Sequence, residues 1–269
     1  MKIDAEVSFW KYEKTFNYPL IRENKLMQQQ YLPEQISHNL ERNGIDGCIA
    51  VVVEPAEVET RFLSELAVTH PQILAVVGWI DLYDPNAIEK IQAFQQYTHI
   101  RGYQIEIRKD PLPAHGVMEI LQENQYSLDI SLSSENVPEG LSKWLRDWPD
   151  QYFILRDCAH PDTKKAPSKT WEKTIRELGK NQNLSCKLSG LFTHGNRKSW
   201  KPADFYPFLE ILFESFGSER LLFASEWPFL LLAGIYVQWK SLLEKFMERF
   251  RLEDRDKFFG ENAERLYRL

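Results

Sequence analysis

The sequence has no uninterrupted apolar run approaching the ~20 residues that a membrane-spanning helix requires. Its opening residues, MKIDAEVSFW, also lack the basic segment followed by an apolar segment that marks a secretory signal peptide. From these two absences we expect no membrane partner and a cytoplasmic protein.

Cysteine is scarce, with 3 in 269 residues. Cys48, Cys158 and Cys186 are far apart, and each lies in an apolar stretch. An odd number of widely spaced cysteines gives no support to a disulfide framework or to a CxxC metal site. We therefore expect buried free thiols, because free cysteine behaves as a small hydrophobic residue.

Basic residues are outnumbered, since the chain has 33 Lys and Arg against 39 Asp and Glu and a formal net charge of −6. This charge has the wrong sign for a general attraction to the phosphates of nucleic acids. The expected partner is a small-molecule substrate or ligand, with no nucleic acid. The composition does not indicate an oligomeric state.

Short β-branched runs alternate with amphipathic helical stretches along the whole chain, and we count eight such pairs. The predicted strands are Lys2–Val7, Gly47–Val53, Ile73–Ile80, Ile100–Ile107, Ser127–Leu132, Tyr152–Arg156, Leu184–Leu188 and Arg220–Ala224. No Gly/Ser-rich linker divides the chain, so residues 1–269 are predicted to form one domain. This pattern and length favour an α/β fold of the (β/α)8 TIM-barrel type, with an open doubly wound sheet as the alternative.

The apolar spacing predicts which face of two helices is buried. After Pro55, the residues Val58, Phe62 and Leu66 are spaced to share one buried face. Further along, Ser168 or Thr170 can cap a helix whose apolar face contains Trp171, Ile175 and Leu178.

Long irregular stretches follow the first and sixth predicted strands, at Trp10–Pro33 and His160–Ser168. Loops that follow the strands of a barrel build its active site, so both stretches are expected at the mouth. The aromatic residues of the first stretch are consistent with a plug over the barrel, with a substrate-facing wall, or with both.

Several segments resemble motifs of one enzyme family. MKIDAEVSFW is similar to IDAHQHFW, FILRDCAHP to FVLDHLGKP, LLFASEWP to LMFGSDWP, and FGENAERLYRL to FGGTAARFYRL. Together with CKLSGL, these matches occur in order over essentially the whole chain. The chain resembles the amidohydrolase-related branch of the amidohydrolase superfamily, which contains sugar-acid lactonases of the L-fuconolactonase and L-rhamnonolactonase type. The resemblance implies a TIM barrel and hydrolysis of a small cyclic ester.

The resemblance fails at the positions where the family carries its catalytic and metal-binding residues. The corresponding residues here are Glu6 and Ser8 in the first strand, Gln104 and Ile105 in the fourth, Asp157 after the sixth and Glu226 after the eighth. The family has histidines, an Arg-His pair and an aspartate at these places. None of the 6 histidines of this chain occupies a family ligand position.

The remaining polar residues provide oxygen ligands only, whereas zinc normally takes imidazole, thiolate and carboxylate ligands. We therefore predict no metal cofactor. The alternative is a hard divalent cation held by Glu6, Asp157 and Glu226. Against that alternative stands neutralisation of the carboxylates, or a proton shared among them. The candidate neutralising residues are Arg156, Lys187, Arg108 and His160.

From the resemblance we predict Glu226, Asp157 and Glu6 as catalytic residues, with Glu226 as the general base and Asp157 or His160 as the acid. The predicted substrate-binding residues are Ser8, Arg156, His160, Lys187 and Trp227. Two functional hypotheses follow. The first is a weak, metal-independent hydrolase related to sugar-acid lactonases. The second is a catalytically inactive barrel that binds a small molecule or a protein.

Overall fold

The computed structural model describes residues 1–12, 18–107, 112–195 and 199–269, with the backbone alone for Leu20. Within these ranges eight parallel strands form one sheet in the order β1 to β8. The strands are β1 Ile3–Val7, β2 Gly47–Val51, β3 Ile73–Trp79, β4 Ile100–Glu106, β5 Ser127–Ser131, β6 Phe153–Leu155, β7 Leu184–Leu188 and β8 Leu221–Phe223. All eight predicted strands are present, although several end one or two residues earlier than predicted.

At least one helix follows each strand along the chain. The helix bounds are α1 Pro19–Glu23, α2 Pro33–Arg42, α3 Glu57–Thr69, α4 Ala87–Phe94, α5 His115–Glu123, α6 Leu141–Asp147, α7 Lys169–Leu178, α8 Pro202–Phe216, α9 Tyr236–Met247, α10 Leu252–Asp256 and α11 Asn262–Tyr267. In the part of the chain that the structure describes, no helix is both long enough and apolar enough to cross a membrane.

The sheet is brought round to a barrel by contacts between its first and last strands. A parallel bridge joins Val7 to Trp227. The Ser8 N–H donates to the Trp227 carbonyl at 2.8 Å, and the Glu226 N–H donates to the Glu6 carbonyl at 3.0 Å. The predicted (β/α)8 barrel is therefore confirmed over the open sheet, and Glu6 and Glu226 lie beside each other at its carboxyl end.

The C-terminal helices contact the first strand and the barrel interior. Residues Ala263, Leu266 and Tyr267 of α11 are buried in the same apolar cluster as Ile3 and Ala5 of β1. The chain can pass this closely because Gly260 has no side chain, since a Cβ there would lie 1.8 Å from the Met1 carbonyl oxygen.

The structure agrees with the predicted cap of α7 and differs from the predicted buried face of α3. The Ser168 cap is confirmed, because its Oγ accepts a 3.1 Å hydrogen bond from the Trp171 N–H. The predicted face of α3 was wrong for Val58, which is 66% exposed. The helix begins at Glu57 rather than next to Pro55, and it buries Leu63 and Ala67 instead. The buried face is therefore displaced by about one position from the predicted one.

The three cysteines are free and buried, as predicted. Cys158 and Cys186 lie side by side beneath the carboxyl end of the barrel, with their sulfur atoms 4.0 Å apart. They pack among apolar residues of the layer between sheet and helices. Their role is therefore structural packing next to the candidate site.

Candidate active site at the carboxyl end of the barrel

A cavity of about 200 Å³ opens at the carboxyl end of the strands. Its polar lining residues come from the ends of five strands or the turns after them. They are Glu6, Ser8, Gln104, Glu106, Ser131, Arg156, Asp157, His160 and Glu226. Aromatic lining is supplied by Tyr18, Trp79 and Phe229. The cavity thus combines an acidic, hydrogen-bonding floor with apolar walls, which is a common composition for a small-molecule site.

The stretch after β1 serves as both plug and wall. Trp10 is buried, with its ring stacked 5.3 Å from that of Phe229. Tyr18 also packs against Phe229, at 5.5 Å, and lines the cavity. Residues 13–17, which include the predicted aromatic Phe16, lie outside the described residues.

A turn of unusual backbone conformation follows β6. The four consecutive residues Asp157, Cys158, Ala159 and His160 have φ values of 50°, 48°, 59° and 53°. Non-glycine residues adopt this left-handed region at a cost of order 1–3 kcal/mol each, and only where the surroundings impose it. Here the Cys158 carbonyl accepts a 2.7 Å hydrogen bond from the Trp171 indole N–H, which helps to fix the turn. The turn places both Asp157 and His160 at the cavity.

Arg156 is the positive centre of the site. Its Nη2 lies 2.7 Å from Oε1 of Glu6, and its Nη1 donates to Oε1 of Gln104. Burial lowers the pKa of this guanidinium, but the charges of Glu6 and Asp157 raise it more, so its pKa stays above the ordinary value. Arg156 therefore remains charged and neutralises part of the surrounding negative charge.

Asp157 is the ionised carboxylate of the site. Burial raises its pKa, but the positive charge of Arg156 and the neighbouring His160 and His194 outweigh this effect and hold the pKa below its usual value. Its Oδ1 lies 3.2 Å from the Ser189 hydroxyl, and its Oδ2 lies 3.9 Å from Nε2 of His160. An ionised Asp157 is a poor proton donor, which favours His160 for the predicted acid role.

Glu226 has the opposite electrostatic situation. Burial, together with the negative charges of Asp157 and Glu6, raises its pKa well above the usual value. Its Oε2 accepts hydrogen bonds from the Thr193 hydroxyl at 2.7 Å and from the Gly190 N–H at 3.2 Å, which offset the shift only in part. Glu226 therefore holds its proton at pH values where an ordinary glutamate has lost it.

Two predicted substrate-binding residues lie behind the lining. Lys187 is fully buried, with its Nζ 2.6 Å from Oδ2 of Asp129 and 3.8 Å from Oε2 of Glu6. Trp227 is 2% exposed and packs edge-on against Tyr31. Among the described residues the cavity lining includes neither of them. Burial of the ammonium next to Asp129 keeps Lys187 from the substrate side.

The other predicted residues are brought together. Glu6, Ser8, Arg156, His160 and Glu226 all line the cavity, as does Asp157. His160 is hydrogen-bonded through Nε2 to the Ser131 hydroxyl at 3.2 Å. Arg108, which was also expected to neutralise the carboxylates, lies outside the described residues.

Sequence reasoning missed Ser189, Thr193 and Ser131. Ser189 donates to Oε2 of Glu6 at 3.0 Å and lies two residues after Lys187, so strand periodicity could have placed it on the interior face of β7. Ser131 ends β5 and could have been found in the same way. Thr193 lies in a loop, where no periodic signal identifies it.

The donor set does not fit a zinc ion. In the described ranges no three His, Cys, Asp or Glu side chains are arranged to hold a metal. Both oxygens of Glu6 are engaged, one by Arg156 and the other by Ser189. Glu226 is held separately by Thr193. This arrangement also gives no support to the alternative of a hard cation at Glu6, Asp157 and Glu226.

The chain is similar to known proteins over its whole length. A sequence profile of the amidohydrolase family matches residues 3–269. An L-fucono-1,5-lactonase from Burkholderia multivorans is 30% identical over 290 residues, which cover 100% of this chain and 96% of that protein. A second L-fucono-1,5-lactonase, from Burkholderia ambifaria, is 26% identical over 281 residues, with 100% and 96% covered. A crystal structure of an amidohydrolase from Burkholderia multivorans with bound zinc superposes with a TM-score of 0.90 at 28% identity, covering 100% of this chain and 99% of that one.

Proposed function

The chain belongs to the amidohydrolase family, and from this membership and the geometry of its cavity we propose that it hydrolyses a sugar-acid lactone without a metal ion. The family assignment confirms the resemblance seen in the sequence motifs. The lactone is suggested by the names of the two Burkholderia relatives. The observation that carries the metal-independent mechanism is that Glu226, a carboxyl group with a raised pKa, lines the same cavity as the permanently charged Arg156.

Glu226 is proposed as the general base. A base works best when its pKa is close to the working pH, and the raised pKa of Glu226 moves it in that direction. Both described hydrogen bonds to its carboxylate reach Oε2. Oε1 is therefore free to accept a proton from the water molecule that attacks the lactone carbonyl.

Arg156 is proposed to stabilise the oxyanion that forms at that carbonyl. A guanidinium has five N–H donors, and the described contacts of Arg156 to Gln104 and Glu6 engage two of them. Its charge lies in a largely buried site, where electrostatic stabilisation of a developing anion is strong.

His160 is proposed to complete the reaction as the acid. When the ring C–O bond breaks, His160 donates a proton to the departing alkoxide oxygen, and the proton taken up by Glu226 then restores the imidazolium. The net change is the addition of one water molecule to give an open-chain hydroxy acid. Asp157, 3.9 Å from Nε2, stabilises the imidazolium.

The test is a panel of sugar-acid lactones assayed with a chelator present. Glu226→Gln should lower kcat/KM by about 100-fold or more, because loss of a general base typically costs 10²–10⁴. Glu106→Gln is the matched control, since Glu106 also lines the cavity but has no role in these steps. We expect slow turnover even in the native protein, because Glu226 is one methylene longer than the family aspartate and a displacement of about 1 Å can cost ~100-fold.

Equal rates for the native protein and Glu226→Gln would remove Glu226 from the mechanism. Activity that disappears with chelator and returns with zinc would contradict metal independence. No turnover on any lactone would favour the inactive, ligand-binding barrel instead.

A further inference from the structure

The first strand contains a β-bulge immediately before the cavity. Asp4 pairs with Cys48 and Val7 pairs with Ala50. The four residues Asp4–Val7 of β1 therefore lie opposite the three residues Cys48–Ala50 of β2. One extra residue is therefore inserted in β1. A bulge leaves a backbone group without a ladder partner and changes the direction of the following side chains.

The bulge explains why Glu6 faces the barrel interior. In a regular strand, residues two apart point to the same side. Asp4 instead contacts Tyr236 of α9, in the layer outside the sheet, whereas Glu6 contacts Arg156 and Ser189 inside the barrel. Without the extra residue, Glu6 would share the outer side with Asp4 and would not reach the cavity.

The side chain of Asp4 replaces the missing ladder contacts. Its Oδ1 accepts hydrogen bonds from the Glu6 N–H at 3.2 Å and from the Ser225 N–H at 2.8 Å. Its Oδ2 accepts a 2.9 Å hydrogen bond from the Tyr236 hydroxyl. Asp4 is completely buried. One carboxylate thus joins the bulge of β1, the residue before Glu226 and the helix that follows β8.

We propose that Asp4 is a positioning residue that holds Glu6 and Glu226 together across the seam between β1 and β8. Among the described residues β1 and β8 form no regular ladder at this seam, where an isolated bridge lies beside two backbone hydrogen bonds. The side-chain contacts of Asp4 therefore carry a large share of the alignment. Their loss would let the two cavity carboxylates shift relative to each other.

The first arm of the test does not depend on activity. Amide hydrogen exchange is compared in the native protein, Asp4→Ala and Asp4→Asn, at Ser225, Glu226 and Ser8 on the seam and at Leu128 in β5. Asp4→Ala should speed exchange at the seam amides by about 10-fold or more, because a buried N–H that loses its acceptor is costly. Exchange at Leu128 should stay unchanged.

Asn262→Ala is the matched control. Asn262 is also buried, and it donates from Nδ2 to the carbonyls of Ser218 and Leu221 at the opposite end of β8. It should destabilise the protein without selectively exposing the seam amides. Asp4→Asn keeps one oxygen acceptor and should give a smaller change than Asp4→Ala, and it provides the decisive variant if Asp4→Ala does not fold. Seam amides that exchange no faster than Leu128 in either Asp4 variant would overturn the proposal.

The second arm rests on the proposed function. Asp4→Ala should lower kcat on the lactone by about 100-fold with KM nearly unchanged, because misplacing a reacting group by about 1 Å has this effect. Asp4→Asn should recover most of kcat, and Asn262→Ala should retain it. Equal losses in Asp4→Ala and Asn262→Ala would show a purely structural role. If the native protein hydrolyses no lactone, the proposed function fails, while hydrogen exchange still decides the role of Asp4 at the seam.

Discussion

Two clusters of charged side chains lie inside the barrel, and they differ in charge balance. The inner cluster contains one carboxylate, one ammonium and one phenol, from Asp129, Lys187 and Tyr267, and all three residues are completely buried. The cavity cluster contains three carboxyl groups and one guanidinium, from Glu6, Asp157, Glu226 and Arg156. The inner cluster is closed to solvent, whereas the cavity cluster borders open space.

This difference in charge balance suits the inner cluster to a structural role and the cavity cluster to a chemical one. In the inner cluster every charge has an opposite charge within hydrogen-bond distance. In the cavity cluster, within the described ranges, Arg156 forms a direct ion pair with Glu6 alone. Burial, together with the negative charges of Asp157 and Glu6, raises the pKa of Glu226. Burial of unbalanced carboxyl groups costs stability, and it also produces a group that exchanges its proton at a higher pH than an ordinary glutamate does.

The largest expected effect is a loss of stability when a charge of the inner cluster is removed. Lys187→Met leaves the Asp129 carboxylate buried without its counter-charge, so we expect the free energy of unfolding to fall by about 3–5 kcal/mol. Urea unfolding measures this change. The double variant with Asp129→Leu should recover much of the loss, because it removes both charges. A loss below about 1 kcal/mol in Lys187→Met would mean that the two clusters do not differ as described.

Glu226→Gln should have the opposite effect on stability in the cavity cluster. Because the folded-state pKa of Glu226 is raised, the native protein has no charge-burial cost below the usual glutamate pKa of 4.5, and that cost appears as the pH rises through the folded-state pKa. The variant cannot ionise. It should therefore match the native protein near pH 4 and be more stable at pH 8, while losing about 100-fold or more in activity.

Thermal unfolding at the two pH values checks this prediction. Glu106→Gln serves again as the control, because Glu106 is exposed at the cavity. If the stability difference between Glu226→Gln and the native protein is the same at both pH values, ionisation of Glu226 in the folded protein does not cost stability.

Thr193→Val should sharpen the assignment of Glu226 as the base. The Thr193 hydroxyl stabilises the ionised carboxylate, so its removal raises the pKa of Glu226 further. In the pH profile of kcat/KM, the acidic limb should therefore move to higher pH. At a pH below that limb the rate should fall by about 10-fold, since a hydrogen bond to a charged group contributes roughly 1.5 kcal/mol or more. A profile that moves to lower pH would contradict the role.

The smallest effect on stability is expected when an exposed ion pair is removed. Lys143 and Asp147 lie 2.6 Å apart on α6, with side chains 76% and 52% exposed. Lys143→Ala should change the free energy of unfolding by less than about 0.5 kcal/mol in the same urea assay. A loss as large as that of Lys187→Met would show that pairing, rather than burial, sets the difference between the clusters.

The fold was predictable because its signals are local. Eight β-branched runs separated by helical spacing are visible within windows of a few residues, and such alternation with this length favours a barrel. The same reasoning placed Glu6 and Glu226 together, since the first and last strands of a barrel are neighbours and strand ends gather at one face. The cap of α7 was also indicated locally, as Ser168 or Thr170, and the structure shows that it is Ser168.

The chemistry of the site depended on contacts that no local pattern encodes. Arg156 meets Glu6 across 150 positions of sequence, and Lys187 meets Asp129 across 58. The sequence by itself therefore determined the barrel and the group of residues at its mouth. Only the tertiary structure decided which charges are paired, which residues are buried behind the lining and which carboxyl group keeps its proton. Electrostatic energies depend on distance and burial in three dimensions, and both are set when strands remote in sequence pack together.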